Sequence, residues 1–404
     1  MGMLHADSNH ARIYPWNSAR EPEQIDRAID IGDDFTSNST KRYEIGRVGQ
    51  LGVKKGTPTN TYSLRQYENG AMKFFRALAN IIDPGTGEDT TIDLDDIKST
   101  RFNLSHDYTD DAETFVGSVW YPNIRVNGFS INIGDPDADI ERNFDLVGEK
   151  YCVLPGYYVA YASQVASGAS EVISFGGTGE PPVPVEYQTS KFMLMVLRVR
   201  AGVVSELTSS SYTYNDGTKE LTVTGCSVSD IIKVYYVSAT EYTDLWEDND
   251  SDADAFSADQ VSIFVQIGSG DESQIYKLQS IGIDVAFTRK DYKQIGDKSV
   301  VQTGVSEKVV TVTLGRILED FTIEEVLSGV SSPKYIDTDE LSTNITVVVK
   351  IYTDNTKTTF AMEYDMPELS SSALSNSQPN NDYQTNNNTL IGSEFSVSLE
   401  ETVF

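Results

Sequence analysis

The chain has 404 residues, with 61 acidic against 31 basic side chains and a formal net charge of −30. So large an acidic excess excludes a nucleic-acid clamp, because such a protein needs a basic surface to meet phosphate groups. The length allows two domains and a sizeable core. Two cysteines, Cys152 and Cys226, exclude a disulfide framework. The sequence has no apolar run of ~18 residues, so we expect no membrane span. Its first ten residues are mostly polar, so we expect no signal peptide.

Residues 1–60 are predicted to form an N-terminal arm followed by a first strand. They hold eight basic and eight acidic side chains, in contrast to the acidic remainder of the chain. Residues 1–40 show no clear hydrophobic period, although Ile13, Tyr14 and Trp16 could anchor them. Terminal segments of this kind are ordered only when something holds them.

Residues 61–165 are predicted to form the first part of the main domain. Residues 64–82 place Leu64, Tyr67, Phe74 and Leu78 at helical spacing, which predicts the best helix of the chain. Strands dominate after this helix. They are predicted at residues 97–104, 115–120, 128–133, 144–147 and 151–161.

Residues 166–240 are predicted to be an inserted β domain. The composition becomes rich in Gly, Ser and Pro near residue 166, and β-branched strand patterns follow from residue 192. The triplet Asn215-Asp216-Gly217 is the strongest hairpin signal in the chain. We regard the unit as inserted because sheet-type alternation resumes after it.

Residues 241–404 are predicted to complete the main domain. An acidic linker at 241–259 precedes strands at 261–267, 281–287 and 308–314. A short helix at 321–328 is indicated by Thr322 with Glu325 three residues later, which is a capping-box pattern. Further predictions are a hairpin of 345–352 with 358–364, a Ser/Asn-rich solvated loop at 369–388 and a last strand at 395–403.

The fold class is therefore mainly β: a β-sandwich or half-barrel with one flanking helix, plus an inserted small β-sandwich domain. Its many long alternating strands suit sheets with one buried and one solvated face. We find no repeat of 20–50 residues, which argues against a solenoid or a propeller.

Candidate chemical sites are weak. Asp248, Asp250 and Asp252 imitate the start of a calcium loop, but Ala253 replaces the sixth-position glycine and Asp259 is a short closing ligand. A similar spacing of aspartates occurs in 135–139, and Gly176-Gly177-Thr178-Gly179 lacks the Lys-Ser/Thr of a phosphate loop. Three histidines, with His106 expected in a loop, are too few for a zinc site or a credible triad. We therefore predict no catalytic, cofactor-binding or metal site, and no enzymatic activity.

Several stretches together resemble the major tail tube proteins of tailed phages. They are Tyr43-Glu44-Ile45-Gly46-Arg47, Lys55-Gly56-Thr57-Pro58-Thr59, 115–120 with 128–133, Asn143-Phe144-Asp145-Leu146-Val147-Gly148-Glu149, 309–329 and 345–364, and a β module ending in 212–236. The resemblance covers 43–160, 260–365 and the insert. The chain is longer than simple tube proteins, which leaves open whether the insert decorates the outside or belongs to the wall.

This resemblance implies a structural virion protein, made in the host cytoplasm and located in the tail. Six subunits would form a ring, and stacked rings would form a tube whose acidic inner β-barrel conducts DNA during ejection without binding it. Its partners would be further copies of itself, the tape measure and terminator proteins and, in a contractile tail, the sheath. The arm would then bridge adjacent subunits and be ordered only in the assembly.

A different class of function stays open at this point. The chain could be a baseplate or decoration protein of the virion, with the insert as a carbohydrate- or receptor-binding module. Tyr187, Tyr212 and Tyr214 would then be the aromatic side chains that stack on sugars.

Overall fold

We analysed a computed structural model of the chain, which describes residues 5–16, 22–25, 28–36, 39–42, 52–55, 59–68, 73–79, 90–112, 114–135, 137–148, 151–175, 182–184, 192–240, 255–276, 278–293, 300–317, 322–328, 335, 344–377 and 385–399. The protein is mainly β and is built from large antiparallel sheets. In chain order the described strands are β1 (His5–Pro15), β2 (Glu23–Gln24), β3 (Ala28–Thr36), β4 (Ser39–Arg42), β5 (Gly52–Lys55), β6 (Thr59–Tyr67), β7 (Thr90–Asp93), β8 (Phe102–Thr109), β9 (Phe115–Ile133), β10 (Glu141–Gly148), β11 (Cys152–Pro155), β12 (Tyr158–Val165), β13 (Ser170–Ser174), β14 (Met193–Arg200), β15 (Val203–Glu206), β16 (Tyr212–Asn215), β17 (Glu220–Thr224), β18 (Ile231–Ser238), β19 (Val261–Ile267), β20 (Ser273–Ile275), β21 (Leu278–Lys293), β22 (Val300–Ile317), β23 (Ile345–Tyr352), β24 (Phe360–Ser377), β25 (Thr385–Gly392) and β26 (Ser396–Leu399). The described helices are α1 (Lys73–Ala79), α2 (Leu94–Ile97) and α3 (Thr322–Ser328).

Three sheets make the body of the protein, and two long strands join them. The N-terminal sheet has the order β2-β1-β8-β9-β11, and the central sheet has the order β3-β6-β10-β9-β21-β22-β25-β24. The C-terminal sheet has the order β20-β19-β23-β24-β26-β7. Because β9 and β24 each belong to two sheets, the body is one continuously hydrogen-bonded structure.

The strand β9 bends from one sheet into the next at a β-bulge. Its pairing with β10 shifts between Val126 and Gly128, and the Arg289 Nε donates to the Val126 carbonyl at 3.0 Å. A Cβ on Gly128 would lie 2.5 Å from the Val285 carbonyl oxygen, so only glycine fits this close approach of β21. Bulges of this kind re-aim a strand and increase its local twist.

The main core lies between the body sheets, with α1 packed inside it. Phe74 and Phe75 of α1 contact Phe144 at ring-centroid distances of 4.5 and 5.1 Å, and Phe75 also meets Phe129 at 5.1 Å. Each fully buried side chain of this size contributes ~1.5–3 kcal/mol through removal of apolar surface from water. The aromatic cluster therefore fixes α1 against the central sheet.

A buried polar triad ties the central sheet to the C-terminal sheet. Arg142 Nη1 donates to Glu68 Oε2 at 2.7 Å, and the Tyr364 hydroxyl donates to the same oxygen at 2.6 Å. The guanidinium also lies over the Phe75 ring, 4.4 Å from its centroid. Burial, followed by the charge of Glu68, raises the pKa of Tyr364 well above its usual value, so the phenol stays protonated and donates.

The insert is a two-sheet sandwich with its own core. One sheet has the order β12-β18-β14-β15, the other has the order β13-β17-β16, and buried residues such as Val196, Leu221 and Ile232 fill the space between them. The unit starts earlier than residue 166, because β12 pairs along its whole length with β18, from Tyr158 opposite Ser238 to Val165 opposite Ile231.

Several local predictions from the sequence are confirmed. The strand β19 has the predicted bounds, β23 and the start of β24 form the predicted hairpin with Val349 opposite Tyr364, and α3 begins at Thr322. At the Asn215-Asp216-Gly217 turn, the Asn215 Oδ1 accepts from the Gly217 amide at 2.9 Å.

Other local predictions are wrong. The stretch 64–67 belongs to strand β6 and not to a helix, and α1 begins only at Lys73. The predicted solvated loop at 369–388 contains the end of β24 and the start of β25, where Asn386 and Asn388 are buried. The predicted N-terminal arm contains β1, which pairs with β8 in the chain's own sheet.

Candidate functional site

The aspartate motifs are not assembled into a metal site in the described part of the chain. No group of three or more His, Cys, Asp or Glu side chains there is arranged to hold a metal ion. Asp135, Asp137 and Asp139 lie in an exposed turn, in which the Asp137 amide donates to the Asp135 carboxylate at 3.1 Å. The stretch 248–252 and the glycine-rich 176–179 lie outside the described residues.

His106 lies in the core, although the sequence predicts a loop. It belongs to β8, is fully buried, and stacks on Tyr121 at 5.4 Å with its edge contact to Tyr108 at 4.7 Å. Burial lowers the pKa of His106 to about 4, and in the described part of the chain neither ring nitrogen has a hydrogen-bond partner. This imidazole is therefore neutral at pH 7 and packs as an aromatic side chain.

The insert tyrosines considered as a sugar platform are part of its packing. Tyr214 lies against Phe192 at 4.5 Å and Phe175 at 6.0 Å, and both Tyr212 and Tyr214 are half-buried against the insert core. Burial raises the pKa of Tyr214 to about 12. These rings do not present a free face, and Tyr187 lies outside the described residues.

The outer face of the central sheet is a solvent-facing surface. Along β10, Arg142, Phe144 and Leu146 are buried, whereas Asp145 between them is exposed. The same alternation runs through β6, β9, β21, β22 and β25, so one face packs on the core and the other meets water. The outward side chains are mostly small or polar: Thr61, Ser63, Ser130, Asn132, Gly282, Ala286, Thr311, Thr313, Asn387 and Thr389.

This outer face is acidic. Asp30, Asp34, Asp145 and Asp284 on it are exposed and Glu141 is partly exposed, whereas Arg65 is the basic side chain that β6 contributes. The surrounding sheet partly desolvates Asp284, and the charge of Asp145 adds to this effect, so both raise the pKa of Asp284. Carboxylates that lie this close together create a negative potential at this polar face. That potential disfavours the binding of a polyanion.

The central sheet ends in two edge strands of different character. The strand β3 carries Asp30 and Asp34, and among the described residues its ladder partner is β6. At the other edge, residues 370–377 of β24 pair with β25 in the described part of the chain. Charged side chains and proline are two devices that usually block edge-to-edge association, and this second edge carries neither of them in residues 370–377.

A two-stranded ribbon projects from the same sheet. Among the described residues, β21 pairs with β9 from Ile281 to Ala286, and β22 pairs with β25 from Val310 onward. Residues 287–293 and 300–308 therefore continue as a pair of strands beyond the sheet. An isolated ribbon is marginally stable in water, so this projection is suited to packing on another surface.

The insert is docked on the outer face of the N-terminal sheet. Tyr14 of β1 meets Trp120 of β9 at 5.1 Å and Tyr235 of β18 at 5.6 Å, both edge to face. The buried Lys233 Nζ of the insert donates to the Pro15 carbonyl at 3.0 Å. The insert is therefore joined to the body by a buried aromatic contact as well as by its two chain connections.

Sequence reasoning did not find these surfaces. The acidic side chains of this face come from three strands, β3, β10 and β21, and no short window of sequence shows more than alternation. The face of the N-terminal sheet that contacts the insert depends on β1. Its alternation is not recognisable in the sequence, because charged and polar residues stand among the apolar ones. The one usable signal was the alternation of Phe144, Asp145 and Leu146, which marks a strand with one wetted face.

Compared with the known protein families and with curated proteins, the chain matches none. Among the residues that the structure describes, no helix has the length and apolar character needed to cross a bilayer.

Proposed function

We propose that the protein is a structural subunit of a phage tail tube, which assembles laterally into rings that stack into a DNA-conducting tube. The observation that carries the proposal is the central sheet, which is eight strands wide and has an acidic outer face of mostly small side chains. Among the described residues, its edge at β24 carries neither charge nor proline. The resemblance of the sequence to tail tube proteins supports the same assignment. In this proposal the subunit has no catalytic role.

Ring closure would join the two edges of the central sheet. An open edge exposes unpaired backbone groups, and closed symmetry removes them by pairing each edge with the next copy. The uncharged β24 edge of one subunit would pair with the acidic β3 edge of its neighbour, which avoids placing two rows of carboxylates side by side. The interface is then heterologous, as a ring requires.

The outer face of the central sheet would line the lumen. Asp145, Asp284 and Glu141 would then repel a passing DNA duplex, and side chains such as Ser130 and Thr311 would leave the surface smooth. The tape measure, the terminator and a sheath where one exists would be further partners. The insert, docked on the N-terminal sheet, would lie away from this face.

Negative-stain electron microscopy tests the proposal. The purified protein should form six-fold rings or hollow tubes. The substitution Ala373→Lys, at an exposed position on the β24 edge, should abolish rings while leaving the circular dichroism spectrum unchanged. Thr213→Lys places the same charge on β16, an exposed edge of the insert, and should leave assembly intact.

Monomers or trimers in the unmodified protein at high concentration would reject the proposal. Equal assembly by both variants would reject ring closure through β24.

A further inference from the structure

A cleft lies between the central and C-terminal sheets, at the end of the body where β9 stops and β21 begins. Its volume is about 210 Å³. Pockets for drug-sized ligands are typically ~300–1,000 Å³, so the occupant of this cleft must be smaller. The floor is apolar, with the buried side chains of Ile133, Val261, Ile263 and Ile281.

The rim of the cleft carries an aromatic ring with a fixed orientation. The Tyr276 hydroxyl donates to Gln274 Oε1 at 3.0 Å, and Gln274 Nε2 donates to Ser262 Oγ at 3.3 Å. The Tyr276 side chain nevertheless stays 71% exposed, which is high for an aromatic residue that lines a concavity. The hydrogen-bond chain orients the phenol and leaves its ring available to a ligand.

Among the described residues that line the cleft, one is a cation and none is a carboxylate. Lys357 lies in the β23–β24 turn in the left-handed region, with φ of 55°, and its Nζ donates to the Val261 carbonyl. An ammonium group has three donors, so this bond leaves others for a ligand. Gln279 and Ser280 add amide and hydroxyl groups to the lining.

We infer that this cleft binds a single neutral sugar ring. A sugar presents an apolar face of C–H groups that can stack on Tyr276, and hydroxyls that match the amide, hydroxyl and ammonium groups around it. The size of the cleft admits one ring and not an extended oligosaccharide. A neutral ligand also avoids the repulsion that the chain's net charge of −30 imposes on an anion. This inference is independent of ring assembly and concerns a different part of the body.

Saturation-transfer NMR and calorimetry on the full-length protein test the inference. The probes are glucose, galactose and N-acetylglucosamine as neutral rings, and glucuronate as an acidic ring of similar size. At least one neutral sugar should bind saturably. Tyr276→Ala should weaken that binding about 3- to 10-fold, as expected for the loss of one stacking contact. Tyr276→Phe, which keeps the ring, should retain most of it.

The matched control is Tyr292→Ala, which removes a tyrosine that is 57% exposed on the projecting ribbon. It should leave sugar binding unchanged. No saturable binding of any neutral sugar would overturn the inference, and so would binding of glucuronate alone. Equal losses in Tyr276→Ala and Tyr292→Ala would also overturn it, since the effect would then not depend on the cleft.

Discussion

Acidification should destabilise the N-terminal sheet through His106. The imidazole is fully buried against Tyr108 and Tyr121 and has no hydrogen-bond partner among the described residues. Burial lowers its pKa from an ordinary value of 6.5 to about 4. A lowered histidine pKa means that the unfolded chain binds the proton more tightly than the folded chain does. Stability should therefore be complete above pH 6.5 and fall as the pH drops toward 4.

The magnitude follows from the two pKa values. Each pKa unit corresponds to ~1.4 kcal/mol, so the full effect below pH 4 is about 3 kcal/mol. Integration between pH 7 and pH 5 gives a loss of about 2 kcal/mol from this one residue. For a protein whose total stability is on the order of 5–15 kcal/mol, that loss is measurable.

Urea unfolding at pH 7, 6, 5 and 4 measures the effect, with the variant His106→Phe as the reference. Phenylalanine keeps an aromatic ring against Tyr121 and cannot titrate, so the other titrating groups cancel in the difference between the two proteins. The difference in unfolding free energy should shift by about 2 kcal/mol between pH 7 and pH 5. A difference that does not depend on pH would refute the reasoning.

Two further predictions concern the body and the insert. Arg142→Met should lower the free energy of unfolding in urea by about 3–5 kcal/mol, because it leaves the Glu68 carboxylate buried without its cation. Tyr364→Phe, which removes one hydrogen bond to Glu68, should lower it by only about 1–3 kcal/mol. A larger effect of Tyr364→Phe than of Arg142→Met would contradict this account of the triad. Replacing residues 157–240 by a Gly/Ser linker should expose Tyr14 and Trp120, which removes ~1.5–3 kcal/mol of stability for each large side chain uncovered. The melting temperature should fall, and binding of a hydrophobic dye should increase. An unchanged melting temperature would show that the contact between insert and body does not stabilise the protein.

The parts of the fold that the sequence predicts are those whose signal is local. The strand β19 places Val261, Ile263, Val265 and Ile267 at alternate positions, the helix α3 begins within one residue of its predicted start, and Asn215 closes its own turn. In each case the residues that decide the structure lie within a few positions of one another. The mainly β fold follows from many such segments.

The wrong helix at 64–82 shows where local reasoning fails. Leu64 and Tyr67 fit a helical period with Phe74 and Leu78, but Tyr62, Leu64 and Gln66 also fit a period of two. Pairing of β6 with both β3 and β10 decides in favour of the strand. The same cause explains 369–388, where neighbours far along the chain turn a polar, low-complexity segment into two strands.

The candidate surfaces could not be predicted because each of them combines distant strands. Asp145 and Asp284 are 139 positions apart in sequence and interact only because β9 lies between β10 and β21. The cleft beside Tyr276 likewise needs the turn that carries Lys357. No window of sequence contains both members of either pair.

The strand β1 decides how the insert relates to the body. Its side chains alternate: Ala11 and Ile13 enter the main core, whereas Arg12, Tyr14 and Trp16 face the insert side and bond with Asp107, Ser105 and Asn103 of β8. The Arg12–Asp107 pair, at 3.2 Å, has both side chains almost fully buried. Breaking such a pair by removing one partner costs about 3–5 kcal/mol.

A role for this segment as an arm that reaches a neighbouring subunit would require β1 to leave its place in the sheet. That movement would leave the Asp107 carboxylate without its cation, remove Tyr14 from between Trp120 and Tyr235, and free the Lys233 ammonium from the Pro15 carbonyl. The gain from exposed ion pairs on another subunit, at ~0–1 kcal/mol each, does not offset these losses. In the proposed assembly, contacts between copies would then come from the edges of the central sheet and the projecting ribbon, and β1 would act within one chain to hold the insert in a fixed orientation.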